Sequence, residues 1–174
     1  MARSRSSWMC ALLNERGVWG CKEQRPGDQY NKSGYWEPWE IKNIINSHRD
    51  PVYRTLEVSK QIPNFKAQVE QIIRKNGYKG GPWLQKVDVF AYKLYEDFDP
   101  FYVKVMRDKE GIMKSIKRTP FMYKQGYSDK EWERIIDAHH ELMGEVQGYV
   151  LETEDIAAGD ETGLDICLER YSSH

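Results

Sequence analysis

Apolar residues recur at helical spacing along residues 56–80, and Pro63 and Asn64 interrupt the pattern. Proline disfavours helix in the residue before it, and asparagine favours the position just before a new helix. The stretch therefore predicts two short helices joined by an abrupt turn, the first over residues 54–61 and the second over residues 64–75. The apolar positions expected to pack together are Val58, Ile62, Val69, Ile72 and Ile73.

A further helix is predicted before this pair. In residues 36–49, isoleucines recur at helical spacing after Glu37 and Pro38, two residue types that suit the first turn of a helix. Residues 1–35 are broken up by glycine and proline and are rich in arginine and lysine, so we interpret them as a basic arm with one short helical turn. The sequence "NGYKGGPW" after the third helix predicts a helix end and a loop, with a domain boundary at about residue 80.

Residues 81–174 are expected to form a C-terminal helical region. Residues 84–100 alternate in places but also fit a helix, and we favour the helix. Ser128 and Glu131 have the spacing of a capping box, which predicts a long helix over residues 128–152. The acidic end of the chain then predicts a loop with a short strand or helical turn. The predicted fold class is mainly α with little or no sheet, and the apolar side of the long helix comprises Trp132, Ile135, Ile136, His139, Met143 and Val146.

Charge is distributed unevenly along the chain. Residues 1–80 hold 14 basic and 8 acidic side chains, a net charge of +6, whereas residues 81–174 hold 12 and 19, a net charge of −7. Such an asymmetry can separate a half that faces a polyanion from the rest of a protein. Ordinary drift in composition explains it equally well.

The 3 cysteines are Cys10, Cys21 and Cys167, and they include no Cys-x-x-Cys pair. An odd count without such a pair argues against a disulfide framework and a structural zinc, and it favours a reducing, cytoplasmic location. The Arg- and Ser-rich start leaves a mitochondrial location as the weaker alternative. No stretch approaches the length of a membrane span, so no membrane is expected among the partners.

Residues 36–79 resemble the three-helix helix-turn-helix of Myb/SANT-like DNA-binding domains. The matching residues are Trp36 and Glu40 in the first helix, Val58-Ser59 and Ile62 in the second, the turn Pro63-Asn64, then Gln68-Val69 and "RKNGYKG" in the third. The later tryptophans of a full Myb repeat are absent, Ile73 stands where the last would fall, and proline replaces the usual glycine of the turn. The resemblance implies a domain over residues 36–80 whose third helix is the recognition helix.

A recognition helix lays its outer side on nucleic acid. Lysine and arginine neutralise phosphates, glutamine reads adenine through two hydrogen bonds, and basic arms enter the minor groove. The resemblance thus implies a non-enzymatic protein that binds double-stranded DNA (or RNA), of a regulatory or a phage packaging or takeover type. The residues expected to contact the nucleic acid are Arg3, Arg5, Lys66, Gln71, Arg74, Lys75 and Lys79.

Two less specific interpretations stay open. The basic side of the third helix is equally an ordinary solvated face, and Glu70 in its middle would be repelled by phosphates. The same scaffold also occurs in structural or inhibitory components of larger assemblies, where it contacts protein. In that case the C-terminal region would bind a protein partner or a second copy of the chain.

Catalytic and metal chemistry have weak support in the sequence. The stretch "DAHHEL" lacks the His-Glu-x-x-His spacing, and on a helix His139 joins the apolar side while His140 points about 100° away, toward solvent. Asp137 and Glu141 lie one turn apart and could share a divalent cation, but such a pair is more often solvated. No nucleophile–base set or phosphate-binding glycine loop is recognisable. We therefore predict no catalytic residue, no metal and no cofactor.

Residues 101–125 combine aromatic residues with seven basic and two acidic side chains. Tyr102, Phe121 and Tyr123 could stack on the bases of a single strand. Basic side chains that extend over the edge of a core are the more common explanation of such a mixture.

Overall fold

The computed structural model describes residues 5–21, 27–29, 31–34, 36–49, 62–119 and 126–172. The chain divides into an N-terminal unit, Ser7–Pro100 with Leu168–His174, and a C-terminal unit, Phe101–Cys167 with Met1–Ser6. The protein is mainly α, as the sequence predicts, with one small parallel sheet among the described residues.

Helices account for most of the described chain. In chain order, the helices and strands are α1 (Ser6–Glu15), α2 (Trp39–Ser47), α3 (Phe65–Lys75), a 3₁₀ helix (Val89–Phe98), β1 (Val103–Met106), α4 (Lys109–Lys117), α5 (Asp129–Glu145), β2 (Tyr149–Glu152), α6 (Thr153–Ala157) and α7 (Thr162–Ser172). The helix predicted over residues 54–61 lies outside the described residues, and so do Val58, Ser59, Phe121 and Tyr123.

α3 begins and ends close to its predicted limits. Asn64 occupies the N-cap position, but its backbone is left-handed (φ 55°) and its side chain makes no capping hydrogen bond. Asparagine suits this position because it adopts the left-handed backbone conformation more readily than most residues do. At the other end Gly77 has a φ of 95°, and the N–H groups of Gly77 and Tyr78 donate to the carbonyls of Arg74 and Ile73 at 3.1 and 3.0 Å. This Schellman motif confirms the predicted end of the helix.

The core of the N-terminal unit is built on one face of α3. Val69 at the centre of that face is fully buried. The described positions of the predicted core agree: Ile62 and Ile73 are also buried, and Ile72 packs at the core edge. The apolar pattern leaves out Phe65, whose buried ring meets that of Tyr95 edge-on, with 5.2 Å between centroids. The buried cluster comprises Cys21, Ile41, Ile45, Ile62, Phe65, Val69, Ile73, Ala91 and Tyr95.

α2 begins at Trp39, later than the start predicted at residue 36. Pro38 takes the cap position, and Trp36 is 2% exposed and lies before the helix. The indole Nε1 of Trp36 donates to the carbonyl of Ser33 at 2.9 Å. The burial of this ring outside the helix explains why the helix starts later than its aromatic pattern indicates.

The carboxylate of Glu37 is held between two lysines. Its two oxygens lie 2.8 Å from Lys86 Nζ and 3.1 Å from Lys42 Nζ. The side chains of Glu37 and Lys86 are only 22% and 17% exposed, so the pair is largely shielded from water. This site joins the start of α2 to the segment that precedes the 3₁₀ helix.

Residues 89–98 are helical in the tighter 3₁₀ form, whereas residues 84–88 are not helical. Leu84 instead pairs with Gly20 in an isolated parallel bridge. Asp88 then caps the 3₁₀ helix by accepting a hydrogen bond from the N–H of Phe90 at 3.2 Å. The helix predicted across residues 84–100 is thus wrong for residues 84–88, the first of which pairs its backbone with a distant segment.

β1 and β2 form a parallel pair in which Val103 is opposite Tyr149. The connection contains α4 and α5, as a parallel crossover requires. The helix predicted over residues 128–152 ends at Glu145, because its last residues join this sheet. Gly148 lies so close to the carbonyl of Tyr102 that a side chain there would clash. The N–H of Tyr149 donates to the same carbonyl at 2.9 Å.

The start of α5 agrees with its predicted capping box. The N–H of Ser128 donates to Glu131 Oε2 at 2.7 Å, and the N–H of Glu131 donates to Ser128 Oγ at 3.3 Å. Within the apolar side, Trp132, Ile136 and His139 are buried. The helical spacing therefore identifies the inward face of α5 correctly.

α4 and α5 pack in antiparallel orientation. Ile112 and Ile116 of α4 form a buried cluster with Trp132 and Ile136 of α5. Lys109 at the start of α4 pairs with Asp137 at 2.8 Å, and Lys117 at its end pairs with Asp129 at 2.6 Å. Ion pairs at both ends of α4 thus fix the register of the two helices.

The end of the chain is helical where the sequence predicts a loop. α6 and α7 occupy residues 153–157 and 162–172, so the expected loop with a short strand or helical turn is wrong for most of this region. The acidic composition hides the apolar positions Ile156, Leu164 and Cys167, which are buried. None of the described helices is long and apolar enough to cross a membrane.

The 3 cysteine thiols are expected to be unreactive in the folded protein. Burial raises the pKa of Cys10 to about 12 and that of Cys167 to about 11, and burial together with the nearby Glu40 raises the pKa of Cys21 to about 11. At pH 8 about one thiol in a thousand or fewer would be ionised, and the thiolate is the reactive form. We expect a colorimetric disulfide reagent to modify no cysteine in native buffer and all of them in guanidinium chloride. Rapid modification without denaturant would contradict this burial.

Candidate nucleic-acid interface

The exposed face of α3 follows from which residues its core contacts use. Phe65, Val69 and Ile73 face inward, so positions about half a turn away face solvent. Ala67, Gln71 and Arg74 share that opposite face, at spacings of four and three residues, and all are exposed. Glu70 is partly buried at its border. Gln71 and Arg74 therefore form the polar centre of the face.

Lys66 lies on one flank of this face and is engaged with the 3₁₀ helix. Its Nζ donates to the carbonyl of Asp97 at 2.7 Å and lies 5.3 Å from the centroid of the Phe98 ring. Both contacts hold the ammonium group of Lys66 against the 3₁₀ helix. Lys66 is exposed, as predicted, but its charge already has partners within the N-terminal unit.

Lys75 lies on the other flank, nine residues after Lys66 and about half a turn around the helix. Its Nζ is 3.5 Å from Glu40 Oε1, and the two side chains are 74% and 46% exposed. An ion pair this exposed contributes about 0–1 kcal/mol. Lys75 can therefore exchange Glu40 for another anion at little cost.

Lys79 extends the basic surface past the end of α3. It is exposed in the turn that follows Gly77, where Gly80 and Gly81 also have positive φ. The hydroxyl of Tyr78 donates to the carbonyl of Gly81 and closes this turn. The ring of Tyr78 packs 5.1 Å from that of Trp19 and 6.4 Å from that of Trp83. The turn is thus anchored by aromatic packing, and it places Lys79 beyond the last turn of α3.

The arm residues are located differently from the helix residues. Arg3 lies outside the described residues. Arg5 belongs to the C-terminal unit, where its Nη1 donates to the carbonyl of Thr153 at 3.4 Å and lies 3.6 Å from Glu154 Oε1. The contacts of Arg5 are therefore with its own unit. The structure brings Gln71, Arg74, Lys75 and Lys79 together along α3 and its terminal turn.

The histidines of α5 show no metal site. Asp137 is paired with Lys109, and no group of three or more His, Cys, Asp or Glu side chains in the described part of the chain is arranged to hold a metal ion. His139 is 5% exposed and packs in the core, as expected. His140 differs from expectation: its Nε2 is buried and has no hydrogen-bond partner among the described residues. It follows Ile136 by one helical turn, so it lies at the border of the buried face.

Trp39, the first residue of α2, is a large aromatic side chain that lies on the surface and is 55% exposed. It directly precedes Glu40, the partner of Lys75.

Comparisons of the chain with protein-family models, with characterised proteins and with solved structures found no match.

Proposed function

We propose that the protein binds nucleic acid, double-stranded DNA in the first place, through the exposed face of α3. The observation that carries this proposal is the open centre of that face, where Gln71 and Arg74 are exposed opposite a fully buried Val69. Among the described residues, Arg74 makes no ion pair with its side chain. An exposed cation that pairs with none of the described carboxylates, on a helix fixed by its other side, is suited to meet a phosphate.

The residues of this face would make two kinds of contact, with the phosphates of the nucleic acid and with the edges of its bases. Arg74, Lys75 and Lys79 would neutralise phosphates near the carboxyl end of α3, and each such contact releases a counterion from the nucleic acid. Gln71 carries no charge and can pair with adenine through two hydrogen bonds. Lys66 would contribute less, because it would have to leave the carbonyl of Asp97.

Replacing Arg74 and Lys75 together with alanine is expected to weaken binding to all sequences. Because two phosphate contacts are removed, the slope of log K against log salt should flatten by about 2 units at most. Gln71→Ala should relax the preference for one base and leave the slope unchanged. Fluorescence anisotropy with labelled duplex DNA, and with RNA in parallel, at several salt concentrations measures both effects.

Lys93→Ala is the matched control for this series. Lys93 is an exposed lysine on the 3₁₀ helix of the same unit, so its removal changes the net charge without touching α3. All of these positions are exposed, and each substitution should change stability by less than about 0.5 kcal/mol. If Lys93→Ala flattens the salt slope as much per removed charge as the Arg74→Ala/Lys75→Ala variant does, the binding depends on net charge and not on the exposed face of α3.

A protein-binding role is the second candidate, and Trp39 favours it. Tryptophan and arginine dominate the energetics of protein interfaces, and in this chain an exposed indole precedes the residue that pairs with Lys75. In this alternative, the surface around Trp39 would be covered by a partner in a non-enzymatic assembly. If the protein shows no salt-dependent binding to DNA or to RNA, a protein-binding role becomes the better explanation of this exposed surface.

A further inference from the structure

The sequence contains one asparagine that is followed by glycine, in the pair Asn76-Gly77 at the carboxyl end of α3. In such a pair the backbone nitrogen of the glycine can attack the side-chain amide carbon of the asparagine, because glycine has no Cβ to hinder the approach. Asn76 is half-buried and Gly77 is exposed, so water reaches the pair. The chemistry of the pair is therefore that of spontaneous deamidation, which needs no cofactor.

Deamidation has a ring-closing step and a ring-opening step. In the first, the nitrogen of Gly77 gives its proton to hydroxide and bonds to Cγ of Asn76. The bond from Cγ to Nδ2 breaks, and Nδ2 takes a proton from water and leaves as ammonia. Water then opens the resulting succinimide at either carbonyl, which leaves aspartate or isoaspartate. Both products carry a carboxylate in place of a neutral amide.

The folded end of α3 engages both reacting groups in other contacts. Nδ2 of Asn76 donates to the carbonyl of Ile72 at 2.8 Å, which turns the side chain back along the helix. The N–H of Gly77 donates to the carbonyl of Arg74 at 3.1 Å, which disfavours loss of its proton. Attack of this nitrogen on Cγ therefore requires that both hydrogen bonds break and that the last turn of α3 opens.

The turn that follows α3 is held in place by Tyr78. Its N–H donates to the carbonyl of Ile73 at 3.0 Å. Its ring packs 5.1 Å from that of Trp19 and 6.4 Å from that of Trp83. Because these contacts directly follow Gly77, we expect that opening of the helix end loosens this aromatic packing. The packing thus protects the amide from the reaction.

We propose that Asn76-Gly77 is a site of spontaneous deamidation, which the folded end of α3 protects and which opening of this turn exposes. Deamidation adds a negative charge between Lys75 and Lys79 in the sequence. A negative charge is unfavourable at the carboxyl end of a helix, and a carboxylate cannot donate to Ile72 as Nδ2 does. Each modified molecule thus has a weaker helix end and a less basic surface.

The rate of deamidation in folded and in unfolded protein tests this protection. The full chain is incubated in mildly alkaline buffer with and without guanidinium chloride, and the products at residue 76 are followed by digestion and mass spectrometry. Conversion of Asn76 should be at least about tenfold faster in guanidinium chloride, because only molecules with an open turn react in native buffer. Equal rates in the two buffers, or no conversion in guanidinium chloride, overturn the proposal.

Tyr78→Ala distinguishes protection by this turn from protection by the fold as a whole. It keeps the Asn76-Gly77 sequence and removes the ring that packs against two tryptophans, so conversion in native buffer should be about tenfold faster than in wild type. Phe101→Ala is the matched control, because it removes an exposed ring of the other unit and should leave the rate unchanged. If Tyr78→Ala does not fold, Tyr78→Phe, which removes only the hydroxyl bond to Gly81, carries the test with a smaller acceleration. A wild-type rate in the folded Tyr78 variant, or equal acceleration by Phe101→Ala, contradicts protection by the turn.

The effect of deamidation on binding rests on the proposed function and has its own test. Asn76→Asp carries the charge of the deamidated protein, and Asn76→Ser removes the same amide donor to Ile72 without adding charge. We expect Asn76→Asp to bind duplex DNA about threefold more weakly than Asn76→Ser, because the added carboxylate repels phosphates. Equal affinities of the two variants would overturn this effect. If the wild type binds no nucleic acid, the proposed function fails, and the deamidation rates alone decide whether the site exists.

Discussion

Replacing Val69 with aspartate is expected to unfold the N-terminal unit. Val69 has no exposed surface and lies at the centre of the buried face of α3. A carboxylate there would lose its hydration without gaining a partner, and a single buried unpaired charge costs about 4 kcal/mol or more. Because a domain has about 5–15 kcal/mol of stability in total, the change removes most or all of it. Circular dichroism should show lost helicity and a lower melting temperature.

Ala67→Asp is the control for this substitution. Ala67 lies on the exposed face of the same helix, two residues earlier, so the same side chain is added to the same element but into water. Its stability should change by less than about 0.5 kcal/mol. A Val69→Asp variant that melts at the wild-type temperature would show that α3 presents a different face to the core.

Glu37→Gln should cause the second-largest loss of stability, about 2–3 kcal/mol. The substitution keeps the shape of the side chain but leaves Lys86, whose side chain is 17% exposed, without its carboxylate. Removing one partner of a largely buried pair leaves an uncompensated charge. Asp129→Asn is the matched control, because the pair of Asp129 with Lys117 is about half exposed at each side chain, 47% and 49%, and should contribute less than about 1 kcal/mol. Urea unfolding of both variants measures the difference.

The pH dependence of this pair follows from the pKa of Glu37. Burial alone would raise that pKa, but the ammonium groups of Lys86 and then Lys42 outweigh burial and hold it below the ordinary value. The contribution to stability is therefore present above the unfolded pKa of about 4.3 and is lost as the pH falls through the lower folded value. The stability difference between wild type and Glu37→Gln should shrink below about pH 4. A difference that is constant down to pH 2 would contradict the role assigned to the carboxylate.

Local sequence signals predict α3 and the start of α5 well. α3 has helical apolar spacing, a left-handed residue before it and Gly77 after it, all of which act within a few residues. The capping box of α5 is local in the same way. The end of α5 is not predictable from such signals. It depends on the pairing of Tyr149 with Val103 and on the close approach of Gly148 to Tyr102, which are remote in the sequence.

In the candidate interface, too, some features follow from nearby residues and others depend on residues that are remote in the sequence. Helical phase predicts that Gln71, Arg74 and Lys75 are exposed, because it needs only the position of the buried face. It does not predict that Lys66 contacts Asp97 or that Lys75 contacts Glu40, since those partners lie on other elements. Sequence can thus locate the basic face, and only tertiary structure shows which of its charges already have partners.

The salt dependence of wild-type binding to duplex DNA tests the proposed function most directly. If Arg74, Lys75 and Lys79 contact phosphates, log K should fall linearly with log salt, with a slope of about −2 to −3. The measurement requires only the intact protein, labelled duplexes of different sequence and a series of salt concentrations. A slope in this range that the Arg74→Ala/Lys75→Ala variant flattens is the result we predict. No detectable binding at the lowest salt concentration, or binding that salt does not weaken, would contradict the proposed nucleic-acid interface.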